Sequence, residues 1–232
     1  MTRRALGTTS TDGPSGGRDD EQYAKRRARM VERQLRGRGI EDEAVLRAMG
    51  EVPRERFVPP EQRRRAYRDG ALPIGEQQTI SQPWVVARMT ELLTLVGNER
   101  VFEVGTGSGY AAAVLSRCCS HVVTIERHAG LAATARAALA DLGYRNVEVR
   151  EGDGTHGVFD RAPFDGISVT ATATGEAPGD LRDQLAPGAP LVCPLRRRGG
   201  EHLVRFRDAA EEVVAPVRFV PLVADDEDDP HR

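Results

Sequence analysis

The clearest pattern along the chain is an alternation of strands and helices in its middle. Apolar runs predict strands over residues 100–104, 121–126 and 147–150. Between them, apolar side chains recur at helical spacing and predict helices over residues 110–118 and 131–142. Because strands that alternate with helices are joined by crossover connections, the pattern predicts a parallel sheet.

Other elements flank this alternation. Before it, an amphipathic helix is predicted over residues 83–96, where Pro83 suits the first turn. Two shorter helices are predicted over residues 23–36 and 42–50, and a loop rich in Pro and Gly follows from 52 to 75. After residue 170, further apolar runs predict strands over residues 191–195, 202–207 and 213–222, with only one short helix candidate at 179–185, so we expect the sheet to end in antiparallel strands.

The two ends of the chain lack this patterning. Residues 1–22 contain almost no large apolar side chain, which predicts a disordered N-terminal tail. Residues 225–229 are consecutive acidic residues and predict a solvated acidic tail over 224–232. We therefore expect a helical and loop region over 23–97 and a core over 98–223 between the two tails.

Composition excludes several classes of protein. The 232 residues carry a formal net charge of −2, which argues against a general nucleic-acid-binding surface. Lys25 is the only lysine, so a Walker phosphate loop and a lysine Schiff base elsewhere are excluded. The 3 cysteines show no zinc-ligand spacing, and we expect no metal site. No apolar stretch approaches the roughly 18 residues of a membrane helix, and no secretory signal is present, so we expect a cytoplasmic protein.

The sharpest motif lies where the first strand of the alternation turns into a helix. Glu103 precedes a loop of glycines and small polar residues, namely Gly105, Thr106, Gly107, Ser108 and Gly109. Glycines at such a turn allow a ligand to approach the main chain closely. A dinucleotide site would need a third glycine where Tyr110 stands. The tighter spacing favours S-adenosylmethionine, which has no pyrophosphate, and a purely structural glycine turn is the alternative.

Acidic residues also follow the next two strands. Glu126 ends the second strand, where a carboxylate can bind the two ribose hydroxyls of a nucleoside. Asp153 follows the third strand and is placed to accept a hydrogen bond from an adenine amino group. A surface glutamate beside Arg127 and an ordinary turn aspartate are the alternatives. Acidic groups after three successive strands favour a cofactor site.

Further segments make the chain resemble a known family. They are VPRERFVP at 52–59, AYRD at 66–69, ALPIG at 71–75, QTISQP at 78–83, EVGTGSGY at 103–110, TIER at 124–127, GDG at 152–154, APFD at 162–165 and FVPL at 219–222. Over roughly residues 30–222 the chain resembles protein-L-isoaspartate O-methyltransferases, and the TISQP segment is the most specific feature.

This resemblance implies both a fold and a reaction. The fold is an α/β, Rossmann-like class I methyltransferase: a doubly wound, mostly parallel sheet with antiparallel strands at its C-terminal edge and an N-terminal helical appendage. The implied cofactor is S-adenosyl-L-methionine. The implied substrates are isoaspartyl-containing proteins and peptides, with neither nucleic acid nor membrane as a partner, and we expect a monomer.

The resemblance also assigns site residues. The active-site serine of the family falls on Ser81. The cofactor contacts fall on Gln78, Thr79, Ile80, Ser81, Glu103, Gly105, Thr106, Gly107, Ser108, Gly109, Glu126, Asp153 and Gly154. The chain departs from the family pattern at Thr155 and His156 and over residues 170–176, near the expected substrate cleft.

Several alternatives stay open at this level. A related enzyme esterifies an aspartate of a ribosomally made peptide to form a succinimide, but such relatives tend to carry a further C-terminal domain, and this chain stops soon after Leu222. A small-molecule or RNA methyltransferase and a non-catalytic binding module are further alternatives. The arginine runs at 63–65 and 196–198 are more typical of solvated faces or a hairpin tip than of phosphate contacts. Trp84 either covers the cofactor or packs in the core.

Overall fold

The computed structural model describes residues 15–224 of the chain. It begins with helix α1 (Ser15–Met30), which continues through a π-helical turn (Val31–Leu35) and a 3₁₀ turn (Arg36–Arg38). Helix α2 (Glu43–Glu51) follows. The Asp42 carboxylate caps it by accepting hydrogen bonds from the N–H groups of Ala44 at 2.7 Å and Val45 at 3.1 Å. The two predicted N-terminal helices are therefore present.

The predicted N-terminal tail needs correction over residues 15–22, which are helical in α1. Arg27 and Arg29 lie in its last turn, where the helix dipole favours positive charge. In addition, Lys25 Nζ lies 2.6 Å from the Glu21 carboxylate one turn away. Residues 1–14 and 225–232, which include the predicted acidic tail, lie outside the described residues.

The segment predicted as a Pro- and Gly-rich loop contains regular structure. Two 3₁₀ helices (Arg54–Phe57 and Pro60–Arg65) precede an antiparallel hairpin of β1 (Leu72–Gly75) and β2 (Gln78–Ile80). No local residue pattern predicts this hairpin, because its turn residues Glu76 and Gln77 adopt φ values of 48° and 55° that non-glycine residues rarely take. Helix α3 (Pro83–Leu92) then begins at its predicted proline.

The rest of the chain builds one central sheet. Its elements are β3 (Arg100–Val104), α4 (Tyr110–Leu115), β4 (His121–Glu126), α5 (Ala129–Asp141), β5 (Val147–Glu151), β6 (Gly166–Val169), β7 (Ala173–Thr174), α6 (Gly179–Arg182), β8 (Pro190–Arg197), β9 (Gly200–Arg207) and β10 (Ala210–Pro216). The strand order is β10-β9-β8-β6-β3-β4-β5, with β7 beside β8. Pairing is parallel from β8 to β5 and antiparallel for β8–β9 and β9–β10. The predicted fold class is confirmed.

The strand order places the candidate site. From β3 the chain proceeds outward to β4 and β5 on one side and later returns to β6 and β8 on the other. Ligands of such sheets bind at this reversal, outside the carboxyl ends of the strands. The N-terminal helices share a core with one face of the sheet, where Met49 and Leu93 belong to the same cluster as Val101 and Leu203.

The last strand ends earlier than predicted. β10 stops at Pro216, whereas the apolar pattern predicted a strand to residue 222. Beyond it, the Val220 carbonyl accepts a hydrogen bond from the Thr172 N–H, and the Leu222 N–H donates to the Thr172 carbonyl, both at 2.8 Å. Residues 220–222 therefore lie beside Thr172, just beyond the carboxyl end of β6. Among residues 15–224, no helix has the length and apolar character needed to cross a bilayer.

Candidate active site

A cleft opens at the carboxyl ends of β3, β4 and β5. Its volume is about 290 Å³, close to the lower limit of about 300 Å³ for typical small-molecule sites. Its walls are residues 77–81 from the hairpin and the loop after it, the glycine loop after β3, the ends of β4 and β5, residues 170–171 after β6, and residues 220–223. The long-range pairing of the sheet therefore assembles distant parts of the chain around one space.

Most of the predicted site residues lie in this cleft. Those that line it are Gln78, Thr79, Ile80, Ser81, Gly105, Thr106, Gly107, Ser108, Glu126, Asp153 and Gly154. Glu103 and Gly109 do not line it. Gly109 packs against α5, and Glu103 is buried beneath the glycine loop.

The glycine loop turns its backbone toward the cleft. Gly105 and Gly107 have φ values of 91° and 53°, which favour glycine. A Cβ atom on Gly105 would clash with Thr170 Oγ1, and one on Gly107 would lie 3.5 Å from Ile74 Cδ1. The loop is therefore enclosed by Thr170, directly after β6, on one side and by the β1–β2 hairpin on the other, with main-chain atoms left to contact a ligand.

Gly109 serves packing. It is the N-cap of α4 with a φ of 85°. A Cβ atom there would lie 3.2 Å from Ala135 Cβ and 3.3 Å from Leu139 Cδ1. Glycine at this position lets α4 begin directly against α5. Gly109 therefore has a structural role, which was the alternative to a cofactor contact.

Glu126 joins the end of β4 to the glycine loop. Its side chain is buried, with Oε2 accepting from the Gly107 N–H at 2.8 Å and Oε1 accepting from the His128 N–H at 3.0 Å. A surface role beside Arg127 is therefore excluded. Each carboxylate oxygen carries a second lone pair, so Glu126 can also accept hydrogen bonds from hydroxyl groups in the cleft.

Glu103 lies beneath the glycine loop. It is fully buried, and its Oε2 accepts a hydrogen bond of 2.6 Å from Thr124 Oγ1. Thr124 Oγ1 also lies 2.7 Å from Thr106 Oγ1 in the loop. Burial raises the pKa of Glu103 to about 8; the Thr124 hydrogen bond opposes this rise and the charge of Glu126 adds to it. Its Oε1 has no hydrogen-bond partner within residues 15–224. Glu103 thus supports the loop as a largely protonated acid near neutral pH.

Asp153 and Gly154 form the turn after β5. Asp153 Oδ1 accepts hydrogen bonds from the backbone N–H and the hydroxyl of Thr155, both at 2.8 Å. A Cβ atom on Gly154 would lie 2.6 Å from Val104 Cγ1 and 2.7 Å from Ile125 Cγ2. Glycine therefore lets this turn close over the ends of β3 and β4. Thr155 does not line the cleft, and its hydroxyl is used within the turn.

Ser81 is held on the opposite rim. It follows β2, and its carbonyl accepts a hydrogen bond of 2.8 Å from Arg54 Nη2. The next residue, Gln82, donates to Asp69 Oδ1 at 2.6 Å, and Pro83 then begins α3. The segment between hairpin and helix is therefore fixed at successive residues, which presents Ser81 to the cleft.

Sequence reasoning missed part of the wall. Residues 220–223 line the cleft, although the FVPL segment contributed only to the family resemblance. Their position depends on pairing with Thr172, which local periodicity does not reveal. Trp84 lies outside the cleft and packs against the core as a half-buried side chain, with Nε1 3.3 Å from the Arg38 carbonyl and the Arg38 guanidinium 5.0 Å from its ring centroid.

Comparisons with known proteins agree with this architecture. The family model for protein-L-isoaspartate(D-aspartate) O-methyltransferase matches residues 25–227. A protein-L-isoaspartate O-methyltransferase of Methanoregula boonei is 54% identical over 201 residues, which are 85% of this chain and 92% of the relative. Protein-L-isoaspartate O-methyltransferase 1 of Rhodopseudomonas palustris is 49% identical over 214 residues, covering 90% and 87% of the two chains.

Solved structures show the same fold. A protein-L-isoaspartate O-methyltransferase superposes with a TM-score of 0.76 at 28% identity, over 85% of this chain and 66% of that one. A Plasmodium falciparum structure in complex with S-adenosyl-L-homocysteine superposes with a TM-score of 0.72 at 24% identity, over 85% and 98%.

The sheet order, the glycine loop after β3 and the acidic residue that ends β4 define a Rossmann-like class I methyltransferase. The family match covers most of the chain, from residue 25 to 227. The chain belongs to the protein-L-isoaspartate(D-aspartate) O-methyltransferase family.

Proposed function

We propose that this cleft transfers a methyl group from S-adenosyl-L-methionine to the free carboxylate of an L-isoaspartyl residue. The observation that carries the proposal is that Ser81 and the glycine loop line the same cleft, although they come from different parts of the chain. The segment with the greatest specificity for the family thus lies beside the segment expected to hold the cofactor.

The residues present fit this cofactor. The glycine loop offers backbone atoms, and Glu126 offers carboxylate oxygens for ribose hydroxyls. Apolar side chains of Val104, Ile125 and Leu222 line the same space and suit the faces of an adenine ring. Asp153, held in its turn, provides an acceptor for the exocyclic amino group.

The chemistry requires little acid or base assistance. When bound, S-adenosylmethionine supplies an electrophilic methyl group; a carboxylate oxygen forms the new C–O bond as the S–C bond breaks and its electron pair stays on sulfur. A carboxylate with an ordinary pKa near 4 is already ionised at neutral pH. The protein therefore mainly aligns two reactants and excludes water.

Ser81 acts in this scheme as an orienting donor. Its hydroxyl would donate a hydrogen bond to the substrate carboxylate and hold the attacking oxygen toward the cofactor. The resulting methyl ester closes to a succinimide without further catalysis, and hydrolysis of that ring returns some normal aspartate. Repair of damaged protein follows from repeated cycles.

Two consecutive parts of the chain would have different roles. Residues 23–97 carry Ser81 and the hairpin and would orient the substrate, while residues 98–223 would hold the cofactor. The protein would act as a monomer in the cytoplasm, without nucleic acid. The hairpin-tip arginines support the last point, because Arg196 and Arg197 pair with Glu201 and Glu211. Size-exclusion chromatography with light scattering tests the monomer.

One assay separates the candidate activities. Methyl transfer is measured to an isoaspartyl peptide, to the same peptide with normal aspartate, and to bulk RNA. We expect strong preference for the isoaspartyl peptide, because the two peptides place the free carboxylate and the backbone one methylene apart. Equal transfer to both peptides, or preference for the aspartyl form, would favour the peptide-modifying relative, and transfer to RNA alone would refute the proposal.

A further inference from the structure

Arg54 is a fully buried arginine directly behind the cleft wall. It begins the first 3₁₀ helix and is 0% exposed. Its Nε donates a hydrogen bond of 2.8 Å to the Ala66 carbonyl, and its Nη2 donates one of 2.8 Å to the Ser81 carbonyl. The main chain that carries the Ser81 hydroxyl is therefore anchored from behind by a guanidinium group that water does not reach.

No carboxylate among residues 15–224 forms a hydrogen bond or an ion pair with the Arg54 guanidinium. Both hydrogen bonds go to backbone carbonyls, and Nη1 is buried without a hydrogen-bond partner within residues 15–224. The neighbouring carboxylate of Glu55 is used elsewhere, since it accepts from the Tyr67 hydroxyl and lies 3.8 Å from Arg27 Nη1. Burial lowers the pKa of Arg54, but a guanidinium stays protonated at physiological pH. A buried charge without a counter-charge lowers the stability of the folded protein.

The surroundings of Arg54 connect this charge to the cleft. Its guanidinium carbon lies over the Tyr110 ring at 4.7 Å from the centroid, where the ring face attracts a cation. Ser81 and Tyr110, both in contact with Arg54, line the cleft. A fixed cation behind such a wall attracts an anion more strongly than the same charge in water would, because the dielectric constant there is low.

We propose that Arg54 is a positioning residue for the substrate carboxylate. It anchors the Ser81 main chain, and its uncompensated charge makes the Ser81 end of the cleft favour an anionic over a neutral side chain. This inference rests on the proposed function. It differs from a purely structural role, in which Arg54 only links residue 66 to residue 81 and its charge has no consequence for the ligand.

The charge acts mainly on binding. The negative charge of the carboxylate is present before the reaction and diminishes as the ester forms, so an interaction with it stabilises the ground state at least as much as the transition state. Loss of the Arg54 charge is therefore expected to raise KM more than it lowers kcat. Loss of the hydrogen bond to Ser81 is expected to lower kcat.

Binding measurements with two peptides and several variants isolate the effect of the Arg54 charge. Calorimetry measures two ligands on protein saturated with S-adenosylhomocysteine: an isoaspartyl peptide and its twin with a carboxamide in place of the free carboxylate. The variants are Arg54→Gln, which removes the charge but keeps donors, and Arg54→Lys, which keeps the charge. Arg56→Gln is the matched control, because Arg56 lies two residues away and is exposed.

The expected result is a change in preference. Wild type, Arg54→Lys and Arg56→Gln should bind the carboxylate peptide more tightly than the carboxamide. In Arg54→Gln this ratio should fall about fivefold or more. An unchanged ratio in folded Arg54→Gln would overturn the inference. If Arg54→Gln does not fold, the preference for the carboxylate peptide is measured in Arg54→Lys instead. Loss of that preference in Arg54→Lys would overturn the inference, and its retention would support the inference. Wild type that does not methylate the isoaspartyl peptide would instead refute the proposed function.

Discussion

The Glu126 carboxylate accepts a hydrogen bond of 2.8 Å from the backbone N–H of Gly107, which ties the end of β4 to the glycine loop after β3. The residue expected to bind the cofactor ribose therefore also shapes the loop that surrounds the cofactor. Because the second carboxylate oxygen accepts from the His128 N–H, one buried side chain organises two stretches of backbone at the cleft.

Replacing Glu126 should weaken cofactor binding. Glu126→Ala removes a charged acceptor, so we expect a loss of about 1.5 to 3 kcal/mol, or roughly ten- to hundredfold in the dissociation constant of S-adenosylhomocysteine. Calorimetry measures this dissociation constant for wild type and the variant. Glu126→Gln keeps one acceptor oxygen and should lose less. A change below about threefold in folded Glu126→Ala would show that the carboxylate does not contact the cofactor.

Filling the glycine loop should abolish cofactor binding without unfolding the protein. Gly107→Val adds a side chain at a position whose nearest neighbour to a Cβ atom is Ile74 Cδ1 at 3.5 Å. Ordinary contact at that distance leaves the core intact, while the added methyl groups occupy the ligand space. Calorimetry and thermal unfolding measure both effects.

Gly143→Val is the control for backbone strain. Gly143 has a φ of 77° and open space around a Cβ atom, and it does not line the cleft. This variant should lose stability by a similar amount and retain cofactor affinity. Folded Gly107→Val with unchanged affinity would disprove the assignment of the loop.

The sequence predicted the sheet and most of the cleft because the signals for both are local. Most strands of the parallel core are short apolar runs, and the glycine loop, Glu126 and Asp153 lie at or just after strand ends. Residues 78–81 were assigned by the family resemblance and not by a local pattern. The hairpin turn at Glu76 and Gln77 escaped prediction because its conformation is atypical for its residues. The approach of residues 220–223 escaped because it depends on pairing with Thr172. Burial of Glu103 depends on how β3 packs, which no pattern of residues 103–109 encodes.

Stability should decrease as pH rises, in part because of Glu103. The carboxyl ionises near pH 4.5 when unfolded and near pH 8 when folded. Between these values the folded state holds a proton that the unfolded state has released, so the contribution is complete below about pH 4.5 and is lost as pH rises through about 8. The slope approaches about 1.4 kcal/mol per pH unit within that window.

Glu103→Gln isolates this contribution. The amide does not titrate, so the variant should lose less stability than wild type between pH 5 and pH 8, and the difference between the two curves should level off above pH 8. Denaturant unfolding at several pH values measures it. Parallel curves for the two proteins would show that Glu103 ionises with an ordinary pKa in the folded state.

Ser81 provides the sharpest test of the proposed mechanism. If its hydroxyl orients the attacking carboxylate, Ser81→Ala should lower kcat for the isoaspartyl peptide and leave the dissociation constant of S-adenosylhomocysteine within about twofold. A positioned donor is commonly worth about 2.7 to 4 kcal/mol where charge develops in the transition state. Here the negative charge diminishes on methylation, so we expect a smaller loss, about 1 to 2 kcal/mol or roughly five- to thirtyfold in rate.

The matched variant for this test is Ser81→Thr, which retains a hydroxyl at the same position and should keep more of the turnover than Ser81→Ala. Arg54 fixes the Ser81 carbonyl and not its side chain, so both variants leave the main-chain anchor in place. Steady-state kinetics with the isoaspartyl peptide measures them side by side. Unchanged turnover in Ser81→Ala would remove the orienting role from Ser81 while leaving the family assignment intact, because that assignment depends on the whole chain. A parallel loss of turnover and cofactor affinity would instead place the Ser81 hydroxyl on the cofactor.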